Sequence, residues 1–201
     1  MIATRLISRP FVFPKHYRLY SSVSVPQTPQ PLAQDDAFHR VDLRVGKIVD
    51  VALHPDAEHL YIETVDVGEA EPRTIVSGLV KYVSKDDLQN KRVIVAANMK
   101  PSRFRGVLSQ GMLLAASSSQ DPLVVDLLTP HAVGPLGERV QLQDLVLAMP
   151  DAVLNPKKKV FEQVAQYLKT DKDGVATYKD LPLTTEAGPV TSKCVKLGQV
   201  S

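Results

Sequence analysis

The chain has 201 residues, of which 44% are apolar and 23% charged, ordinary values for a soluble globular protein with room for one sizeable core or a core plus a small annex. No apolar run approaches the ~20 residues of a spanning helix. The single cysteine, Cys194, excludes an internal disulfide and a multi-cysteine zinc site. The formal charge of +2 is unevenly spread: residues 1–34 carry Arg5, Arg9, Lys15 and Arg18 and no acid, which leaves 20 basic against 22 acidic residues elsewhere. Overall charge therefore says nothing for or against a nucleic-acid partner, and local patterning must carry that argument.

Residues 1–20, "MIATRLISRPFVFPKHYRLY", read as an organellar presequence. Ile2 and Leu6 stand four apart, as do Arg5 and Arg9, giving a short amphipathic turn with a basic face. Import signals are amphipathic, arginine-bearing and poor in acids. Arg18, two residues before Tyr20, resembles a mitochondrial processing signal that would leave Ser21 as the new N-terminus. The mitochondrial matrix is the expected location, with plastid and cytoplasm as alternatives. Residues 21–37 are rich in proline and read as an extended, solvated linker.

β signals dominate from 38 to 148. Val41, Leu43 and Val45 alternate with Asp42, Arg44 and Gly46, and the phase shifts at Lys47, which suggests a bulge or sharp coil in a bent strand. "LYIETVDVG" and "RTIVSGLV" read as the next two strands. Ser84, with Asp87 three residues on, marks a short helix. "KRVIVAAN" and "FRGVLSQGMLLAA" read as two further strands. Five bent strands with a helix between the third and fourth match an OB-fold, a five-stranded Greek-key barrel; an SH3-like barrel fits the same pattern.

A small α+β unit is expected at 149–201. Asn155 reads as an N-cap, Pro156 as the first helical residue, and Val160, Phe161, Val164 and Leu168 as an apolar stripe at helical spacing. "GVATYKDLPL" and "GPVTSKCVKL" read as short strands. About 50 residues do not easily fold alone, so this unit should pack on the barrel.

Between Leu88 and Gln120 lie Lys91, Arg92, Lys100, Arg103 and Arg105 with no acid among them. Ordinary solvated faces mix both signs, so a run of one sign suggests an anion-binding surface. Pro101 and Gly106 place its cations where one strand bends into the next. Lys157, Lys158 and Lys159 would occupy the first turn of a helix, where like charge costs roughly 0.3–1 kcal/mol per residue and free N–H groups favour phosphate. "HPDAEH" (54–59) gathers two histidines and two carboxylates, but Pro55 prevents helical convergence and the motif reads as a β-turn. No phosphate loop, nucleophile elbow or dinucleotide fingerprint is present. No catalytic residue, metal site or cofactor is expected.

"DLRVGKIVDVALHPDAEHLYIETVDVGEAEPRTIVSGLV", "NMKPSRFRGVLSQGM" and "LNPKKKVFEQV", followed by "VATYKD", resemble the endothelial monocyte-activating polypeptide II family. That family includes the C-terminal domains of animal tyrosyl-tRNA synthetases and fungal tRNA-binding synthetase cofactors. The small bacterial tRNA-binding proteins are similar to the barrel only. The resemblance runs from about Phe38 to Ser201. It implies a non-catalytic, structure-specific tRNA-binding protein that assists aminoacyl-tRNA synthetases.

Matched residue by residue, Asn98, Lys100, Arg103, Arg105 and Ser109 fall on the family's tRNA-binding stretch. Arg44 and Lys47 on the first strand, and Lys157, Lys158 and Lys159, complete the expected tRNA-binding set. Arg103 and Phe104 stand where related sequences often have lysine and methionine, so charge is kept while the apolar contact changes. The C-terminal unit implies a monomer, because in longer family members it covers the surface through which the bacterial proteins dimerise. A secreted, cytokine-like role is not carried over. The alternative is a synthetase-docking module in which the OB-fold has lost tRNA binding. A general single-strand binder would want more stacking rings than the one, Phe104, in the basic loop.

Overall fold

The computed structural model describes residues 32–119 and 123–201; the expected leader and most of the expected linker lie outside them. The first described feature is a clasp between the two ends of this region. Asp36 caps the 3-10 turn Ala37–Arg40 by accepting from the Phe38 N–H at 2.9 Å, and also accepts from the Tyr178 hydroxyl at 2.7 Å and the Lys179 ammonium at 2.5 Å. Burial opposes the Asp36 charge, but these three donors hold its carboxyl below the usual range. Phe38 lies against Tyr178 with ring centroids 4.6 Å apart.

The barrel sheet contains β1 (Leu43–His54), β2 (Ala57–Asp66), β3 (Arg73–Ser77) and, after the short helix α1 (Lys85–Leu88), β4 (Arg92–Ala96). Ser84 caps α1 by accepting from the Asp87 N–H, as the sequence predicts. The basic stretch forms a separate hairpin, β5 (Ser102–Phe104) and β6 (Val107–Ser109), before β7 (Met112–Leu113) joins the sheet. The sheet order is β3-β2-β1-β4-β7.

β1 is long enough to pair with β4 through Leu43–Lys47 and with β2 through Lys47–His54. It coils at Gly46, where a Cβ would lie 3.0 Å from both Val65 and Val95 side chains. The register shift falls between Ile48 and Asp50, just past the expected position. The sheet curls until the Gln110 N–H donates to the Thr74 carbonyl at 2.8 Å and the Ser109 hydroxyl accepts from the Val76 N–H at 3.0 Å. The chain after the hairpin thereby closes on β3, as an OB-type barrel requires.

Both faces of β4 are buried, which explains its unbroken apolar run. Val93 and Val95 face the barrel interior with Ile48, Val51, Val65 and Ile75. Ile94 and Ala96 join Leu43 and Val45 in a second core, shared with Phe161, Val164, Leu183 and Val200. The α+β C-terminal unit thus packs on the outer face of the barrel sheet.

That second core is roofed by a sheet of β8 (Ala115–Ser117), β9 (Val125–Leu127), β10 (Gln141–Leu142), β11 (Leu168–Thr170), β12 (Ala176–Tyr178), β13 (Leu181–Thr185), β14 (Gly188–Pro189) and β15 (Gln199–Val200). Its order is β10-β13-β12-β11-β15-β8-β9, with β14 beside β13. It therefore mixes strands from both sides of residue 148. Asp126 on β9 fastens it: one carboxylate oxygen accepts from the Ser192 hydroxyl at 2.8 Å and from the Lys193 and Cys194 N–H groups at 2.7 and 3.0 Å. The helix α2 is short, Val160–Ala165, and Leu168 belongs to β11 rather than to the helical stripe.

Candidate nucleic-acid interface

"SRFRGVLS" folds into the β5–β6 hairpin because its two central residues accept left-handed backbone. Arg105 has φ +46° and Gly106 φ +93°, the pattern of a tight hairpin turn. Ser102 then faces Ser109, Arg103 faces Leu108 and Phe104 faces Val107. Arg103 donates to the Gly106 carbonyl at 2.8 Å across the turn. Residues 100 to 106 are all exposed.

The hairpin is held from two sides. Ser109 Oγ accepts from Val76 and donates to the Gly111 carbonyl at 3.1 Å. His54 Nδ1 accepts from the Asp56 N–H at 3.1 Å, so Nε2 carries the proton and donates to the Phe104 carbonyl at 3.1 Å. "HPDAEH" is thus the expected turn between β1 and β2, and its first histidine anchors the basic hairpin. Sequence reasoning missed that role; its only signal was a histidine too short of neighbouring ligands to hold a metal. No group of metal-ligating side chains occurs among the described residues.

The ten expected tRNA-binding residues separate into two kinds. Lys100, Arg103, Arg105, Lys157, Lys158 and Lys159 are exposed and have no ion-pair partner among the described residues. Lys47 is half-buried between Asp66 on β2 and Arg92 on β4 in the strand register, and it too makes no ion pair among the described residues. The other three are committed internally. Arg44 pairs with Asp42 at 2.8 Å and Glu69 at 3.3 Å, and Asp42 raises its pKa.

Asn98 is buried and saturated: it donates to the carbonyls of Arg40 and Asp151, both at 2.8 Å, and accepts from the Asp42 N–H at 3.0 Å. Ser109 is buried in the barrel closure. These side chains hold the surface in shape, and the exposed lysines and arginines are the cations open to an external anion. Of the other cations in the one-signed run, Lys91 pairs with Asp126 and Arg92 donates to the Gly134 carbonyl at 2.7 Å.

The three lysines need a correction. Pro156–Lys158 form a 3-10 turn capped by Asn155, and Lys159 at φ +48° breaks the chain direction before α2 begins. They precede the helix rather than fill its first turn, and a helix of six residues offers little macrodipole. What places them is Asn98: its side chain holds Asp151, and its carbonyl accepts from the Leu154 N–H at 2.8 Å. The segment leading into the lysines is therefore fixed at the base of the basic hairpin.

A cleft of about 500 Å³ opens beside that base, between Glu69–Arg73 and Ala97–Pro101, with Ala152 and Val153 on its far lip. Its one arginine, Arg73, is held by Glu69 at 2.5 Å and by the carbonyl of Gln110 at 3.0 Å. Glu69 and Glu71 make this cleft a poor phosphate site. The positive surface is the hairpin.

Residues 43–139 match the family described as "Putative tRNA binding domain". The tyrosine–tRNA ligase of Gallus gallus is 46% identical over 162 residues, 81% of this chain and 31% of the ligase. Aminoacyl tRNA synthase complex-interacting multifunctional protein 1 of Cricetulus griseus is 49% identical over 143 residues, 71% of this chain and 39% of that protein. The chain thus spans about a third of the length of these curated relatives. The crystal structure of the C-terminal domain of Plasmodium vivax p43 superposes with a TM-score of 0.76 at 33% identity, covering 82% of this chain and 98% of that domain.

Proposed function

The chain belongs to the tRNA-binding domain family, and from that membership we propose a non-catalytic, structure-specific tRNA-binding protein that assists an aminoacyl-tRNA synthetase. The observation that carries this reading is the β5–β6 hairpin: Lys100, Arg103 and Arg105 stand exposed on a rigid support with no ion-pair partner among the described residues, while Lys91 is paired with Asp126 and Arg92 is tied to the Gly134 carbonyl. Lys157, Lys158 and Lys159 extend the surface from the adjoining segment. The major groove of A-form RNA is too deep and narrow for side chains to read, so these cations contact phosphates and respond to the shape of the folded tRNA. Similarity to a tyrosine–tRNA ligase and to a synthetase-complex-interacting protein supports a synthetase as the protein partner.

We propose a monomer, since the C-terminal unit buries the outer face of the barrel sheet at Leu43, Val45, Ile94 and Ala96. The basic, acid-free residues 1–34 support a mitochondrial matrix location, with residues 1–20 as the presequence, 21–37 as linker, 38–148 as the tRNA-binding domain and 149–201 as its extension. A second reading, synthetase docking without tRNA binding, is favoured by one feature: Val146 and Met149 are 94% and 89% exposed on a single loop.

A salt titration of full-length protein separates the two, using folded tRNA and single-stranded RNA of equal length. Tighter binding of tRNA, with a salt slope that Lys100→Ala reduces, supports the carrier. Equal affinity for the two RNAs, or none, leaves the docking module.

A further inference from the structure

Beside the hairpin lies a second cavity, of about 390 Å³ and apolar in character. It runs between the turn after β3 and the start of the second sheet, with Leu79, Met112 and Phe161 among its walls. Two aromatic side chains stand at it half-exposed: Phe104 and Tyr82 are each 44% accessible. Phe104 comes from the basic hairpin itself, between the exposed Arg103 and Arg105. Its backbone is fixed by the His54 contact to its carbonyl.

Exposing two large rings at one groove forfeits hydrophobic stabilisation unless something covers them. The side chains lining the groove are uncharged, but the hairpin that brings Phe104 to it also carries the exposed cations Arg103 and Arg105 on the adjoining residues, which a purely apolar partner would leave unanswered. A nucleotide fits both halves of this arrangement, because its phosphate is anionic and its base offers an apolar, polarisable face. The volume is in the lower part of the range for small-ligand sites, suited to a planar group.

We propose that this groove takes one unpaired nucleobase of the bound RNA, stacked against Phe104 and covered by Tyr82, while Arg103 and Arg105 hold its flanking phosphates. This rests on the tRNA-binding reading and adds a base-stacking subsite to it. Helical A-form RNA keeps its bases paired, so the occupant comes from a loop or an end of the folded RNA. The contact tolerates any base, since every base has a π-face.

The test uses full-length protein and a folded tRNA. Phe104→Ala and Tyr82→Ala should each weaken binding about tenfold without changing its salt dependence, because no phosphate contact is removed. Phe104→Leu should lose as much as Phe104→Ala, since it keeps apolar bulk but no ring. The chain has no tryptophan, so Phe104→Trp introduces a single reporter. Its emission should be quenched by tRNA and unchanged by a fully paired RNA duplex.

Wild-type affinity in Phe104→Ala or in Phe104→Leu, or an unquenched Phe104→Trp at saturating tRNA, overturns the stacking subsite. If Lys100→Ala still flattens the salt slope in that case, the tRNA-binding reading survives. Absence of any tRNA binding by the unmodified protein overturns both.

Discussion

His54 donates from Nε2 to the carbonyl of Phe104 at 3.1 Å, joining the end of β1 to a hairpin fifty residues further along the chain. The contact is buried at the histidine and exposed at the phenylalanine, so the barrel supplies rigidity to a surface feature. Replacing His54 by alanine removes the donor, leaves Asp56 N–H without its acceptor, and opens a small gap. His54→Ala should cost about 1–3 kcal/mol of stability and weaken tRNA binding severalfold while all cations remain. A reduced affinity at unchanged salt slope, measured by titration at several ionic strengths, distinguishes loss of positioning from loss of charge. A flattened slope would show that the hairpin, freed from His54, has lost phosphate contacts of its own cations.

Asn98 and Lys100 lie two residues apart and should behave oppositely. Asn98→Ala strands the carbonyls of Arg40 and Asp151 and the N–H of Asp42 in or near the interior, a loss of about 2–4 kcal/mol visible as a lower Tm. Lys100→Ala touches no internal bond and should leave Tm within about 1 °C. It should instead lower the salt slope by about 0.7–0.9. If Lys100→Ala lowered Tm and left the slope intact, the hairpin cations would be structural.

What could be read in advance followed the range of the interactions. β1 and its coil, the turn at Pro55, and the Ser84-capped helix are local, and their residues announce them. The run Arg92–Ala96 announces a strand buried on both faces. In sequence the hairpin reads as one long strand because Val107 and Leu113 continue an apolar pattern; the signal against it is Arg105–Gly106, a dipeptide able to sit at positive φ. Asn98 and Ser109 look like members of a polar binding loop, and only partners 33 to 58 residues away reveal them as clasps. The left-handed turn at Lys159 has no such local mark, so in sequence the lysine run reads as part of a helix it only precedes. Tyr82 offered no pattern at all, being one ring in a loop.

Asp126 on β9 ties the Ser192–Cys194 segment to the second sheet, and its loss should be felt mainly there. Burial opposes its charge, but the N–H of Cys194, the hydroxyl of Ser192, Lys91 and the N–H of Lys193 together hold its carboxyl below the usual range. A lowered native pKa means that the carboxylate stabilises the fold above the unfolded value of 3.8 and ceases to do so as pH falls through the native one. Asp126→Ala, which abandons two backbone donors, should cost about 2–4 kcal/mol at neutral pH. Asp126→Asn keeps an acceptor and should cost less. Hydrogen exchange should show the increased opening concentrated around Ser192–Val195; uniform loss of protection across the barrel would show that this anchor belongs to the global folding unit.

Glu63 has the opposite sign. It is fully buried on β2, with one carboxylate oxygen bonded by the Ser77 hydroxyl and the other without a partner among the described residues. Burial pushes its pKa up to about 7, against an ordinary 4.5, and the Ser77 bond offsets only part of that. Between these values the folded state holds a proton that the unfolded chain has released, so stability falls as pH rises through the window and is lowest above the native pKa. At about 1.4 kcal/mol per unit, the range from pH 4.5 to 8 spans a few kcal/mol. Glu63→Gln keeps the shape and removes the titration. Its Tm should be close to that of the unmodified protein at pH 4.5, and it should exceed it progressively toward pH 8. Denaturation curves at five or six pH values decide the matter: parallel pH profiles for the two proteins would mean that Glu63 stays ionised in the fold, with water or a cation meeting its second oxygen.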